Sequence, residues 1–214
     1  MRKFFLTAMA FAAIASVPAL TSCSDDETEG DGGNGGGGGS LPGATVMLQG
    51  TLAKDSTLDA GNNYILSGSL VVPDGVTLTI PAGTTIKANE GFGNYVLVER
   101  GGKIMANGTA DKPIVFTANA DNASAGYWGG LIINGRAPIS GASEGTTGLT
   151  EINNDYVYGG TDAADNSGVL NYVELLYTGA RNTADIEHNG LTLNAVGNGT
   201  QISNIYIAEG ADDA

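Results

Sequence analysis

Residues 68–118 read GSLVVPDGVTLTIPAGTTIKANEGFGNYVLVERGGKIMANGTADKPIVFTA, a series of short β-branched runs separated by Gly, Pro, Asn and Asp. The stretch lacks the apolar period of about 3.6 residues that marks an amphipathic helix. Short β-branched runs bounded by turn-forming residues are typical of strands. We therefore predict six short strands, centred on residues 71–72, 78–80, 85–86, 96–98, 104–105 and 114–116.

Apolar residues in this stretch recur at a nearly constant offset. The step from Leu78 to Leu97 is almost equal to the step from Ile86 to Ile104. A repeat of about 20 residues with several short strands is typical of a parallel β-helix, in which each coil buries its apolar face against the next. The sequence therefore predicts an all-β fold, a right-handed parallel β-helix with coils of about 18–20 residues. The side chains expected to point into its core are Leu78, Ile80, Ile86, Leu97, Ile104 and Phe116.

The composition limits the kinds of partner. The chain has 214 residues and a formal net charge of −14. Such a charge would repel the phosphates of nucleic acid, so we expect no nucleic-acid partner. It suits a soluble surface and is compatible with cation binding. Glycine accounts for 34 residues, which lie partly in a linker and partly at the tight corners between strands.

The N-terminus carries an export signal. Residues 1–22 have a basic start, Arg2 and Lys3, followed by an apolar run that is too short to span a membrane. The run ends in Leu-Thr-Ser-Cys, which resembles the bacterial lipobox and implies a lipid, such as palmitate, on Cys23. Cys23 is the only cysteine, so no intramolecular disulfide can form. The alternative is an ordinary signal peptide followed by a free thiol.

Residues 23–40 form an acidic and glycine-rich segment behind the predicted lipid site. Five carboxylates precede a nearly pure glycine run, and this composition predicts a disordered tether. An acidic cluster directly after a lipidated cysteine resembles the surface-export signal of Bacteroidota lipoproteins. The resemblance implies an outer-membrane lipoprotein exposed at the cell surface. The alternative is a plain solvated spacer.

The rest of the chain is divided into a lead-in and the repeat region. Residues 41–63 are expected to cap the first coil, and residues 64–214 to form the β-helix. An insertion at residues 139–168 interrupts the pattern with five carboxylates and no Lys or Arg. Long loops are often functional, and in solenoids they emerge on one face. The alternative is that the insertion only shields the flank of the rod.

Candidate ligand-binding residues lie in and near this insertion. Asp162, Asp165 and Asn166 offer oxygen ligands of the kind that Ca²⁺ prefers, so a calcium site is one hypothesis. Tyr156 and Tyr158 alternate along a short predicted strand and are candidate ligand contacts. No cofactor is expected apart from this Ca²⁺ ion.

Three further features could carry chemistry. Trp128 could stack on a sugar, although the glycines that follow it favour packing at a coil corner. Arg181, Asp185 and Glu187 could act in a polysaccharide lyase, although the signal is weak. The single histidine, His188, has too few potential partner ligands for a zinc site and is interpreted as part of a solvated loop.

Asparagines also recur before matching strands of the predicted coils. Asn171 and Asn204 occupy equivalent places, and an internal asparagine stack is the expected use of both residues.

Several segments together identify a family resemblance. LVVPDGVTLTIPAGTTIKA, LVERGGKIMANGTADKPIVFTA and GYWGGLIINGRAPI resemble the β-helical surface lipoproteins of Bacteroidota, and the resemblance extends from about Tyr64 to the end. It implies a β-helical fold but no general biochemical activity. In relatives the chain usually continues past the equivalent of Asp212 and Asp213, so we expect an incomplete β-helix.

These observations predict a non-enzymatic binding or adhesion scaffold. Its expected partners are the outer membrane, through the lipid, and polysaccharide or an envelope protein, through the rod. One alternative is a lyase or hydrolase acting on uronic-acid polysaccharide. The other is a purely structural envelope spacer.

Overall fold

A computed structural model describes residues 43–211 of the chain. The predicted signal peptide, Cys23 and the tether lie outside the described residues, as do Asp212 and Asp213. Within residues 43–211 there is no helix that is long and apolar enough to span a membrane.

Strands are the only regular structure of the described residues. All six of the runs predicted as strands form strands. In chain order the strands are β1 Thr45–Thr51, β2 Ser56–Thr57, β3 Asn63–Val72, β4 Thr77–Ile80, β5 Thr85–Ala88, β6 Val96–Val98, β7 Lys103–Asn107, β8 Ile114–Ala118, β9 Leu131–Asn134, β10 Thr147–Leu149, β11 Val157–Gly159, β12 Gly168–Leu176, β13 Leu191–Asn194 and β14 Gln201–Ala208.

The strands stack as a right-handed parallel β-helix, and this confirms the predicted fold class. Twelve strands join in one continuous sheet, and their pairings are parallel. β1 and β2 stack on β3 and β4, with one register shift between Leu48 and Gly50, so the expected lead-in is itself the first coil. Only β10 and β11 lie outside this sheet, as an antiparallel hairpin.

The length of the coils differs from the prediction. Leu48 pairs with Leu66, whereas Leu78 pairs with Ile104, so the later coil is the longer one. Just after β5 and β8, the side chain of Asn119 bonds to that of Asn89 across a separation of 30 residues. The predicted constant period of about 18–20 residues is therefore wrong. The offset between Leu78 and Leu97 suggested this period, but the two residues belong to different stacks of strands. A β-helix fixes which strands stack on one another, whereas the corners between them vary in length.

The core lies inside the stacked coils and is almost entirely aliphatic. Five of the six predicted core residues are buried there, namely Leu78, Ile80, Ile86, Ile104 and Phe116. Leu97 is also buried but points outward, since its neighbours Val96 and Val98 fill the interior. The prediction that Leu97 faces the core is thus wrong in direction, and the alternation of side chains along β6 is the reason.

An apolar stripe runs along the outer surface of three strands. Val71 on β3 pairs with Leu97 on β6, which pairs with Ile132 on β9. These three side chains and Tyr95 form a buried cluster that is separate from the core. We call this cluster the outer stripe. The insertion covers it, since Ile152 and Tyr156 pack against it.

Stacked asparagines hold one corner of the helix. The amide nitrogen of Asn204 donates to Oδ1 of Asn171 at 2.8 Å, and Asn171 donates to Oδ1 of Asn107 at 2.9 Å. The predicted stacking of Asn171 with Asn204 is confirmed, but the expectation that the stack is internal is wrong, since Asn107 and Asn204 are exposed. Each ladder bond satisfies a side-chain amide without using the strand backbone.

Candidate functional site

The insertion folds back over one flank of the rod. Its hairpin, β10 and β11, is followed by a turn region that leads into β12 at Gly168. Tyr158 lies in β11, and Tyr156 directly precedes that strand. Both side chains are half-buried. The flank under the insertion carries several clefts, and this region is the candidate functional site.

Tyr156 anchors the insertion to the outer stripe. Its burial, reinforced by a hydrogen bond and charge interaction with Tyr95 and by the carboxylates of Glu99 and Asp155, raises its pKa to about 12. The phenol therefore stays neutral over the physiological pH range. Part of the ring remains accessible and forms one wall of a cleft.

That cleft, which we call the charged cleft, has a volume of about 360 Å³. One side is fixed by an ion pair, in which Nη2 of Arg136 lies 2.6 Å from Oδ1 of Asp74. The pair lies against the backbone of Gly101, where φ is +84° and a Cβ atom would collide with both side chains. The residues that line the cleft are Asp74, Glu99, Arg100, Arg136, Asp155, Tyr156 and Val157.

Arg100 is the unusual member of the charged cleft. Its Nε atom is buried, and among the described residues it has no hydrogen-bond partner. The guanidinium group also makes no ion pair within residues 43–211, although Glu99 and Asp155 line the same cleft. A buried donor without an acceptor is destabilising by about 1–3 kcal/mol. The cleft is therefore lined by a guanidinium group and two carboxylates that make no ion pairs among the described residues.

Tyr158 borders two further clefts on the same flank. One, of about 620 Å³, lies between the base of the insertion and the last coil, where Leu193 and Ile202 are exposed. The other, of about 200 Å³, lies between the hairpin and β13 and is lined by Glu151 and Glu187. The ring of Tyr158 also fills the space where a side chain at residue 148 would lie.

The three candidate calcium ligands use their oxygen atoms in local hydrogen bonds. Oδ1 of Asp162 accepts from the Ala164 amide at 3.0 Å, and Oδ1 of Asn166 accepts from the Gly168 amide at 2.9 Å. Asp165 is only 5% exposed, and its Oδ2 accepts from the Ser167 hydroxyl at 3.1 Å. In the described part of the chain no three His, Cys, Asp or Glu side chains are arranged to hold a metal ion. The calcium hypothesis stays a prediction.

The structure brings Arg181, Asp185 and Glu187 together on an exposed loop. Nη1 of Arg181 lies 2.9 Å from Oδ1 of Asp185, and its Nη2 forms an ion pair with Glu187. Two carboxylates beside one guanidinium stabilise its protonated form. A lyase base must lose its proton, so this geometry does not favour Arg181 in that role.

Trp128 is not available to a ligand. Its side chain is completely buried, its Nε1 donates to the Leu176 carbonyl at 2.8 Å, and its ring stacks on Phe116 at 6.3 Å between centroids. The hypothesis that Trp128 stacks on sugars is wrong, and the favoured interpretation, that Trp128 packs inside the coils, agrees with its burial. Its neighbouring glycines let the coils approach closely enough to enclose the indole.

His188 is also buried, so the interpretation as a solvated loop is wrong. It is 1% exposed and lies between the rings of Phe92 and Tyr95, at centroid distances of 4.5 and 5.2 Å. Its Nε2–H donates to the Phe92 carbonyl at 3.0 Å, whereas Nδ1 has no partner among the described residues. Burial, only partly offset by this hydrogen bond, lowers its pKa to about 4. His188 is a neutral structural residue.

The charged cleft was not identified from the sequence. Its components come from positions far apart, since Arg136 lies 62 residues after Asp74 and 36 after Arg100. One local signal was present, because Glu99-Arg100 followed by two glycines places a charged pair at a tight coil corner.

Comparison with known proteins identifies a family. A family model described as a pectate-lyase-like β-helix domain matches residues 50–214. No curated protein and no solved structure matches the chain.

Proposed function

Because this chain belongs to the family of pectate-lyase-like β-helix domains, we propose that it is a non-enzymatic binding protein built on a β-helical rod. The flank covered by the insertion is its binding surface. Glycans are the proposed ligands, and an envelope protein is the proposed alternative partner. Fold alone does not assign an activity, so the proposal depends on the chemistry of the flank.

The charged cleft is the observation that carries this proposal. It combines a guanidinium group and two carboxylates that have no ion pairs among the described residues with a half-buried tyrosine ring. Its volume of about 360 Å³ falls within the usual range for small-ligand sites, about 300–1,000 Å³. Convergent donors and acceptors beside an aromatic surface are suited to a polar ligand with an apolar face.

The rod is proposed to be held at the outer membrane by lipid on Cys23 and exposed at the cell surface. The support is the lipobox-like sequence at residues 20–23 and the acidic segment that follows it. Lipid chains give membrane attachment without a spanning segment.

A glycan array tests the binding function. We expect the full chain to bind a subset of glycans, and a variant with the hairpin at residues 147–159 replaced by a short Gly-Ser link to lose that binding. Melting curves establish that the variant still folds. If neither glycans nor isolated envelope fractions bind the full chain, the protein is a structural spacer and the proposal is wrong.

The family description favours a second candidate, a lyase or hydrolase acting on uronic-acid polysaccharide. Its weak point is Arg181, whose ion pairs with Asp185 and Glu187 stabilise the protonated guanidinium. A lyase would produce unsaturated sugars that absorb ultraviolet light. Absorbance that rises when the protein is mixed with pectate or alginate, and that is abolished in Arg181→Ala, would establish the enzyme instead.

A further inference from the structure

The charge balance of the charged cleft narrows the class of glycan that it can hold. Two arginines and three carboxylates line it, which leaves a formal charge of −1. The Arg136–Asp74 ion pair is internally neutral. The remaining groups are Arg100 with Glu99 and Asp155, so negative charge exceeds positive charge where a ligand would lie.

Tyr156 lies beside the same carboxylates. Burial is the main cause of the raised pKa of its hydroxyl, and Glu99 and Asp155 make smaller contributions. The whole chain, with a net charge of −14, adds a repulsive field at longer range. A polyuronate carries one negative charge on each sugar and would be repelled from this surface.

The unsatisfied groups of the cleft match sugar hydroxyls. The guanidinium group of Arg100 and the carboxylates of Glu99 and Asp155 line the cleft, and none of the three has an ion-pair partner among the described residues. A sugar hydroxyl can accept one hydrogen bond and donate another. A pair of adjacent hydroxyls can therefore accept from the guanidinium and donate to a carboxylate at the same time.

We infer that the charged cleft binds an uncharged, hydroxyl-rich sugar and discriminates against acidic polysaccharide. The inference rests on the proposed glycan-binding function and specifies its ligand class. Arg100 is the principal donor, Glu99 and Asp155 are the acceptors, and the ring of Tyr156 provides the apolar wall. The volume of the cleft suits one or two sugar rings.

Titration followed by NMR tests this inference with defined probes. Methyl β-galactoside, methyl α-mannoside and N-acetylglucosamine are the neutral probes, and trigalacturonate is the acidic probe. We expect at least one neutral probe to shift resonances around the cleft, with an affinity that changes little between low and high salt. We expect trigalacturonate to cause no saturable shift.

Two variants test whether the neutral probe binds in the charged cleft. Arg100→Gln should weaken binding of the neutral probe about tenfold or more, because a charge-assisted hydrogen bond is lost. Lys112→Gln removes the same charge from an exposed turn outside the cleft and should bind like the parent. Melting curves of both variants show whether the fold is retained.

A variant that gains binding of trigalacturonate gives a result that misfolding cannot explain. Glu99→Gln combined with Asp155→Asn removes the repulsion, and this double variant should acquire saturable, salt-sensitive binding of trigalacturonate. The inference is overturned if trigalacturonate binds the parent better than the neutral probes do, or if Arg100→Gln leaves neutral binding unchanged. It is also overturned if no probe binds, whereas array binding of other glycans would leave the proposed function standing.

Discussion

His188 makes the stability of the rod sensitive to acid. Its pKa is lowered from about 6.5 to about 4 because the ring is buried, beside Phe92 and Tyr95, and the hydrogen bond to the Phe92 carbonyl offsets this effect only in part. Above pH 6.5 the imidazole is neutral in both the folded and the unfolded chain. Between pH 6.5 and pH 4 the imidazole is protonated in the unfolded chain but stays neutral in the folded chain. The free energy of unfolding therefore falls as the pH drops from 6.5 to 4.

The size of this effect follows from the pKa difference. A difference of about 2.5 in pKa corresponds to about 3 kcal/mol, of which about 2 kcal/mol is already lost at pH 5. His188 is the only histidine, so one substitution removes the whole contribution. His188→Gln retains a side-chain N–H that can donate to the Phe92 carbonyl and contains no titratable group.

Urea unfolding of the parent and of His188→Gln at pH 7 and pH 5 measures the effect. Carboxylates also titrate in this range, but they are common to both proteins and cancel in the comparison. We expect the parent to lose about 2 kcal/mol more than the variant between the two pH values. Equal losses in the two proteins would show that His188 is not held neutral by burial.

The other predictions concern the anchor, the core and the insertion. Cys23→Ala should move the protein from the membrane to the soluble fraction, and continued incorporation of labelled fatty acid would contradict the lipobox interpretation. Ile86→Ala removes a fully buried side chain and should cost about 2–5 kcal/mol by chemical denaturation, whereas the outward-facing Lys87→Ala should cost much less. Millimolar Ca²⁺ should raise the melting temperature of the parent but not of Asp162→Ala/Asp165→Ala, and identical melting curves with Ca²⁺ and with chelator would rule the site out.

The fold class could be predicted because its signal is local. Each run of β-branched residues is bounded by Gly, Pro, Asn or Asp and carries its own strand signal, so the six strands from 71–72 to 114–116 can be recognised without tertiary information. The coil length could not be predicted in this way. Equal spacing of apolar residues does not show which strands stack, because corners of different length separate them.

The direction of the Leu97 side chain also could not be predicted from the sequence. Val-Leu-Val in β6 is buried on both faces, so the strand carries no polar residue to mark the outside. The outward face is apolar only because the insertion, which comes much later in the chain, covers it.

Only part of the candidate site could be predicted, because most of its contacts join residues that are far apart in the chain. Tyr156 and Tyr158 lie in the insertion that drew attention by its composition. Arg100 was not predicted as a site residue, since the cleft around it is formed by residues that only the stacking of coils brings together. The burial of His188 likewise depends on Phe92, which lies 96 residues earlier. The packing of Trp128, in contrast, was signalled locally by the glycines beside it.

The insertion also has a consequence for the order in which the rod assembles. Before it, neighbouring coils are close in the chain, as where Asn119 bonds to Asn89 across 30 residues. Beyond it, Asn194 at the end of β13 reaches back 60 residues to Asn134, and Asn171 in β12 reaches back 64 residues to Asn107. Each doubling of the loop costs about 0.6 kcal/mol more in chain entropy. In a chain that folds from its N-terminus, growth of the rod therefore slows at this step, while the outer stripe still lacks its cover and is exposed to association with other unfinished chains.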